Sequence, residues 1–385
     1  MDLIEGNRIT LLKNGADFFP ALINAIDAAV LDVRIETYIF EADAAGKLIG
    51  DAMMRAARRG VAVRLLVDGV GSWRTSTVFF DALQSAGVKL LIFRPVSKWF
   101  GFRRSHLRRI HRKIALVDGK VGFVGGINLV DDMTDSLSEH PRYDYAVQVE
   151  GPLLADIYPS SHHLWRWVAL LHLRHKDVGD QPVPVSPALV GDQRAAFVVR
   201  DSVRHRRAIE RMYNQAIKHS RESVLLVCPY FLPGRHLRRV LVNAANRGVA
   251  ITILLQGRAD HRLLQMATRA LYARLLGVGV AIYEYDKSML HGKVAVVDDE
   301  WATVGSSNLD PFSLFLNREA NVMVMDKVFA RQLRESVMAE IGGGARRCRT
   351  EDWQRRGLFA RMESWFAYGV ARWTASVIGF AKYWE

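Results

Sequence analysis

Two histidines, each followed two residues later by a lysine, hold the most reactive chemistry in this sequence. His111 and Lys113 are followed by Asp118, Gly125, Gly126 and Asn128; His291 and Lys293 are followed by Asp298, Gly305, Ser306 and Asn308. Every residue of the second set lies 180 positions after its counterpart. A lone His-x-Lys is most often an ordinary piece of strand, but the whole constellation repeated at identical spacing calls for a functional reading. In a β-strand, residues two apart share a face, so each His–Lys pair points the same way. An imidazole can attack phosphorus, and a second imidazole can protonate the leaving alcohol. Two ammonium groups and the Asn128 and Asn308 amides can bind the phosphoryl oxygens. Such a site requires no metal and no cofactor, and a lysine beside each histidine without a third close ligand argues against a metal site. A nucleophilic histidine needs its other ring nitrogen fixed by a partner, usually a carboxylate. Asp144, 33 residues after His111, and Glu319, 28 after His291, are the expected partners, each serving the histidine of the opposite half.

The surrounding pattern must place these residues. Apolar runs at 114–117 and 294–297 predict a strand after each lysine. Turns at Asp118-Gly119 and Asp298-Asp299 lead into a second strand over 121–124 and 302–304. Upstream the chain alternates: a strand at 8–12, a helix at 16–30, a strand at 33–40, a helix at 48–59 closed by Gly60, a strand at 61–67, a helix at 79–86 and a strand at 89–93. The order returns later, with Tyr230-Phe231 echoing Tyr38 and Arg247-Gly248 echoing Arg59-Gly60. The offset drifts from 192 through 188 to 180, as small insertions in a duplicated unit produce. The expected fold is therefore α/β: two similar α/β/α sandwich domains related by a pseudo-twofold axis, over 1–171 and 191–345. Pro182, Pro184 and Pro187 mark a linker at 172–190, and 346–385 forms an amphipathic helical tail.

The chain of 385 residues is half hydrophobic and 24% charged, which excludes a disordered protein. Its net charge of +13 favours an anionic partner, either nucleic acid or a membrane surface. Of the two cysteines, Cys228 sits in an apolar run and reads as a buried thiol. No signal-peptide pattern opens the sequence and no stretch is long and apolar enough to span a bilayer. The tail carries Phe359, Trp365, Phe366, Trp373, Phe380 and Trp384, while Arg361, Ser364, Tyr368, Arg372, Ser376 and Lys382 gather on one helical side. That division predicts a helix lying in the plane of a membrane interface, polar side to water. A basic run from Arg103 to Arg109, preceded by Trp99, Phe100 and Phe102, reads as an interfacial loop that attracts anionic headgroups.

The duplicated His-x-Lys-x4-Asp-x6-Gly-(Gly/Ser)-x-Asn pattern resembles the phospholipase D superfamily. Ile35-Glu-Thr-Tyr-Ile-Phe40, Ile110-His-Arg-Lys-Ile114 and Val304-Gly-Ser-Ser-Asn-Leu-Asp-Pro311 make the chain similar to the bacterial cardiolipin synthases, over roughly 7–326. The resemblance implies that both motifs meet in one active site. One histidine forms a phosphatidyl-histidine intermediate and the other acts as acid and then base; His111 is taken as nucleophile and His291 as acid. Asp118 and Asp298 enter the catalytic set as motif residues that support the loop and the site. The substrate implied is phosphatidylglycerol, two molecules giving cardiolipin and glycerol. The enzyme implied is a peripheral one on the cytoplasmic side of the cell (inner) membrane, with anionic phospholipids rather than nucleic acid as partners. A hydrolase or nuclease of the same superfamily is the rival reading. A non-catalytic lipid-binding scaffold would need neither paired histidines nor two copies.

Overall fold

The computed structural model describes residues 2–95, 108–133, 140–174, 183–201, 205–258, 262–351 and 358–375. Among the described residues fifteen strands form one sheet, and its order shows the duplication directly. From the centre outward, the first half runs β1 (Ile4–Lys13), β7 (Tyr145–Glu150), β6 (Val121–Gly125), β5 (Lys113–Val117), β2 (Asp32–Thr37), β3 (Ala62–Asp68) and β4 (Lys89–Phe93). The second half repeats this as β8 (Gln193–Arg200), β14 (Glu319–Met325), β13 (Trp301–Gly305), β12 (Val294–Val297), β9 (Ser223–Val227), β10 (Ala250–Gln256) and β11 (Ala281–Tyr285). β1 and β8 pair antiparallel, with Ile4 opposite Ala195, and close the two halves into a continuous sheet. The outer strands β2–β3–β4 and β9–β10–β11 are parallel and the rest antiparallel, so the sheet is mixed.

Helices cover both faces. α1 (Asn14–Asp27), α2 (Ala44–Arg58) and α3 (Thr77–Ser85) bury Leu22, Ile26, Ile49, Met53 and Leu83 against one face of the first half. The helix α2 begins earlier than its apolar spacing predicts, because the Asp43 carboxylate caps it by accepting from the Gly46 amide at 2.8 Å. α4 (Leu154–Leu171) covers the opposite face, and there β2 presents Asp32, Arg34 and Glu36 rather than an apolar row. These buried charges pair among themselves: Arg34 with Asp32 at 2.9 Å, Arg112 with Glu36 at 2.5 Å, and Ser161 of α4 with Glu36 at 2.6 Å. In the second half α5 (Ala208–His219) and α6 (Arg235–Asn246) take the place of α1 and α2, while α10 (Lys327–Gly342) packs across the centre.

Two expectations change. The boundary at 345/346 falls inside an edge strand, β15 (Ala345–Cys348), which pairs with β11 and belongs to the second half's sheet. The tail helix, α11 (Leu358–Ala375), turns Ser364 and Tyr368 of its expected polar side inward, while Arg372 of that side stays exposed. Ser364, Ala367, Tyr368 and Ala371 are buried in the second-half core against α7 (Arg262–Arg269), and Arg238 stands over the Tyr368 ring at 5.8 Å. Small residues at i, i+3 and i+7 allow that close packing, and so outweigh their polarity. The opposite side keeps Met362, Trp365, Phe366 and Trp373 exposed, each by more than half. Residues Phe380, Lys382 and Trp384, and the basic run before Arg108, lie outside the described residues.

Candidate active site

Each histidine is set where its own half meets the other. The residue before His111, Ile110, forms a parallel bridge to Arg318; Leu290, before His291, forms the same bridge to Tyr143. The His111 amide donates to the Arg318 carbonyl at 2.9 Å and the His291 amide to the Tyr143 carbonyl at 2.8 Å. Since Arg318 precedes Glu319 and Tyr143 precedes Asp144, the backbone lays each histidine beside the carboxylate of the opposite half. His111 Nδ1 stands 3.0 Å from Glu319 Oε2, and His291 Nδ1 stands 2.5 Å from Asp144 Oδ2. Glu319 and Asp144 are buried, at 0% and 2% exposure, while each histidine side chain keeps 13%. With Nδ1 held by a carboxylate, Nε2 is the ring nitrogen that remains for chemistry.

Lys113 and Lys293 open β5 and the approach to β12, and each donates to the carbonyl of its own histidine. Asn128 accepts from the Ile39 amide at 3.1 Å through Oδ1, leaving its amide nitrogen as donor; Asn308 Oδ1 faces the Cys228 thiol at 3.9 Å. Cys228 is buried and free, with burial pushing its thiol up to about 12, as a structural thiol should be.

Asp118 and Asp298 stand elsewhere. Each directly follows the strand that its lysine opens or adjoins, so Asp118 is about 16 Å along from Lys113 at ordinary strand rise. Its carboxylate accepts from the amides of Val30, Leu31 and Asp32, at 2.9, 2.8 and 2.8 Å. Asp298 does the same for Arg221, Glu222 and Ser223. Both occupy left-handed backbone, with φ of 52° and 50°, a conformation aspartate tolerates better than most residues. The motif aspartate is thus a brace between the motif hairpin and the neighbouring strand. Asp118→Ala should cost about 3 kcal/mol by orphaning these amides, read as a lower chemical-denaturation midpoint; unaltered stability would remove the brace.

Several contacts escaped the sequence reading. The Tyr38 ring lies 5.1 Å from the His111 ring, and Lys113 Nζ stands 5.5 Å from its centre. Ser306 donates to Glu319 Oε2 at 2.5 Å, whereas Gly126, its counterpart, has no side chain because a Cβ there would collide with the Asp144 carboxylate. Asn14, at φ 59°, accepts from the Asp144 amide at 3.0 Å and steadies that residue from the start of α1. The doubled Ser/Gly position and the echo of Tyr38 in Tyr230 were the available signals.

The electrostatics keep both histidines neutral in the free protein. Burial, reinforced by Lys293, pushes His291 down to about 3 despite Asp144. Burial likewise lowers His111, with Glu319 opposing. Asp144 and Glu319 stay below the ordinary carboxylate range: burial works to raise them, but the facing histidine and lysines prevail. Lys113 falls from 10.5 to about 7 through burial.

A duplicated α/β protein of the phospholipase D type is what this fold and crossed site define. The chain belongs to the family described as cardiolipin synthase, PLD-like domain, whose pattern matches residues 22–156 and 213–339. It is 37% identical to cardiolipin synthase B of Salmonella typhimurium over 98% of this chain and 90% of that protein. Cardiolipin synthase B of Escherichia coli is 36% identical over the same shares. The crystal structure of phosphatidylserine synthase from Haemophilus influenzae shares the fold at a TM-score of 0.70 and 14% identity, covering 96% of this chain and 94% of that one.

Proposed function

We propose that the chain transfers a phosphatidyl group from one phosphatidylglycerol to another, releasing glycerol and forming cardiolipin. The crossed His111–Glu319 and His291–Asp144 pairs support this reading most directly. In it, His111 Nε2 attacks the lipid phosphorus, the bond from phosphorus to the glycerol oxygen breaks, and His291 gives that oxygen its proton. The second lipid's hydroxyl then passes its proton to His291 and attacks phosphorus, and the bond from phosphorus to His111 breaks. Lys113, Lys293 and the Asn128 and Asn308 amides hold the non-bridging oxygens. The acid must be protonated, and an entering phosphodiester anion beside His291 raises its proton affinity toward that state. Water kept from the intermediate separates synthase from hydrolase. Incubation with labelled phosphatidylglycerol tests the reading: cardiolipin with glycerol supports it, phosphatidic acid alone indicates a hydrolase, and no lipid product revives the nuclease.

A lysine near 7 makes a pH prediction. In the folded protein Lys113 holds its proton below about 7 and loses it as pH rises through that value. With the ammonium binding the lipid phosphate, kcat/KM should fall as pH climbs from about 7 to about 9. A profile flat across that range would separate Lys113 from substrate binding.

Membrane attachment belongs to the same proposal. No described helix is long and apolar enough to cross a membrane. The exposed Met362, Trp365, Phe366 and Trp373 of α11 supply an interfacial face, and the net charge suits an anionic leaflet on the cytoplasmic side. Trp365→Ser with Phe366→Ser should release the protein from anionic vesicles in a flotation assay; undiminished flotation would reassign that face.

A further inference from the structure

Four arginines from separate parts of the chain gather at the His111 side of the site, and the mechanism above uses none of them. Arg94 follows β4, Arg108 precedes the first motif, Arg200 closes β8 and Arg318 precedes Glu319. The Arg94 guanidinium donates to the Arg108 carbonyl at 3.0 Å, and the Arg318 amide to the Arg109 carbonyl at 2.8 Å. The Arg318 guanidinium lies 5.0 Å over the Trp167 ring; that ring stands 6.0 Å from Phe93, over which Arg94 lies at 5.1 Å. Arg200 sits opposite Glu319 in strand register and donates to the Asn317 carbonyl. At 3% exposure it is the floor of the group, and its Nε is buried with no hydrogen-bond partner among the described residues. Arg94 and Arg318 are half-buried and Arg108 is exposed, so the group opens to solvent.

These cations share the region with the carboxylates of Glu36, Asp201 and Glu319. Glu36 is engaged by Arg112 and Ser161, and Glu319 by His111 and Ser306. Burial pushes Arg200 and Arg318 down to about 10, and neighbouring arginines add to it, while Glu319 and Asp201 oppose at Arg200 and Asp201 and Glu36 at Arg318. Guanidinium groups gathered and partly desolvated, two of them lying over aromatic rings, suit a phosphate monoanion.

We propose that Arg94, Arg108, Arg200 and Arg318 form a second anion subsite, which takes the phosphodiester of the acceptor lipid while its hydroxyl attacks at His111. The inference rests on the phosphatidyl-transfer reading. An acceptor phosphatidylglycerol carries its own phosphate three carbons from the attacking hydroxyl, so a second anion must be held close to the reacting phosphorus. Water and neutral alcohols carry no such anion. The subsite therefore favours cardiolipin over other products. In the step it assists, the acceptor oxygen bonds to phosphorus, the bond from phosphorus to His111 breaks, and the acceptor proton goes to His291.

The test supplies vesicles of phosphatidylglycerol in buffer containing ethanol as a neutral acceptor. In Arg318→Ala the ratio of cardiolipin to phosphatidylethanol should fall by about tenfold or more, the loss of a charge-assisted contact, while Arg318→Lys keeps most of it. A ratio unchanged within about twofold, even with both products reduced together, overturns the subsite. Inorganic phosphate added to the wild-type protein should depress cardiolipin more than phosphatidylethanol. Phosphate that binds wild type and not Arg318→Ala, yet leaves the ratio untouched, marks a site for free phosphate and overturns the lipid assignment. Wild-type protein that makes neither product removes phosphatidyl transfer itself, and this proposal with it.

Discussion

His111→Ala is expected to lower kcat for phosphatidyl transfer by about 10⁵-fold, and His291→Ala by a similar factor. The two rings come from motifs 180 residues apart, yet each has its backbone tied to the other half at 2.9 and 2.8 Å and its Nδ1 held by the other half's carboxylate. Groups that act on one bond fail together: without the nucleophile there is no intermediate, and without the acid the glycerol oxygen leaves unprotonated. The double variant should therefore be about as slow as either single one, rather than slower by the product of the two factors. Each side chain retains 13% exposure, so truncation leaves a small pocket at the surface of the site and the melting temperature should change by no more than a few degrees. Rates on labelled phosphatidylglycerol, with thermal melts alongside, check this. Single variants that each keep about half the rate, with the double variant losing it, would mean two sites rather than one.

Glu319→Gln should lower kcat by about 10³- to 10⁴-fold. The carboxylate accepts from His111 Nδ1 and so keeps the Nε2 lone pair directed outward; a carboxamide can instead donate to Nδ1 and select the wrong tautomer. It also removes the charge that stabilises an imidazolium. Asp144→Asn should act in the same way on His291, across the 2.5 Å contact. The two losses need not be equal. Glu319 has the Ser306 hydroxyl at 2.5 Å, which holds either carboxylate or carboxamide in place, while Gly126 offers Asp144 nothing comparable. Glu319→Gln is nearly isosteric at a fully buried position, so its folding should be close to normal while its turnover is not. Near-normal turnover would detach Glu319 from the reaction.

Much of this arrangement was legible in the residues because the fold is built twice. Repeats expose spacing: the strand after each lysine, the hairpin after it and the return of the upstream elements all follow from positions that match between copies. The pairing of Asp144 and Glu319 with the opposite histidines could be anticipated, since a nucleophilic imidazole demands a carboxylate and few acids occupy equivalent places. What the chain order concealed depends on approach between distant strands. Tyr38 meets His111 only because β2 and β5 are neighbours, and Ser306 reaches Glu319 only across β13 and β14. Asp118 was expected to support the loop, but which amides it braces was hidden for the same reason, because they lie nearly ninety residues earlier. In the tail, helical spacing separated the two faces only in part: Arg372 stays exposed as expected, but Ser364 and Tyr368 pack into the second-half core instead of facing water.

The central claim is a covalent phosphatidyl group carried on a histidine at the junction of the halves. Protein mixed with phosphatidylglycerol labelled in its phosphate, stopped in alkaline denaturant within a turnover and mapped by peptide mass, reads it directly. The account predicts label on the peptide bearing His111, absent in His111→Ala and in protein first chased with unlabelled acceptor. Cardiolipin formed at full rate with no label on His111 or His291 at any time would contradict it.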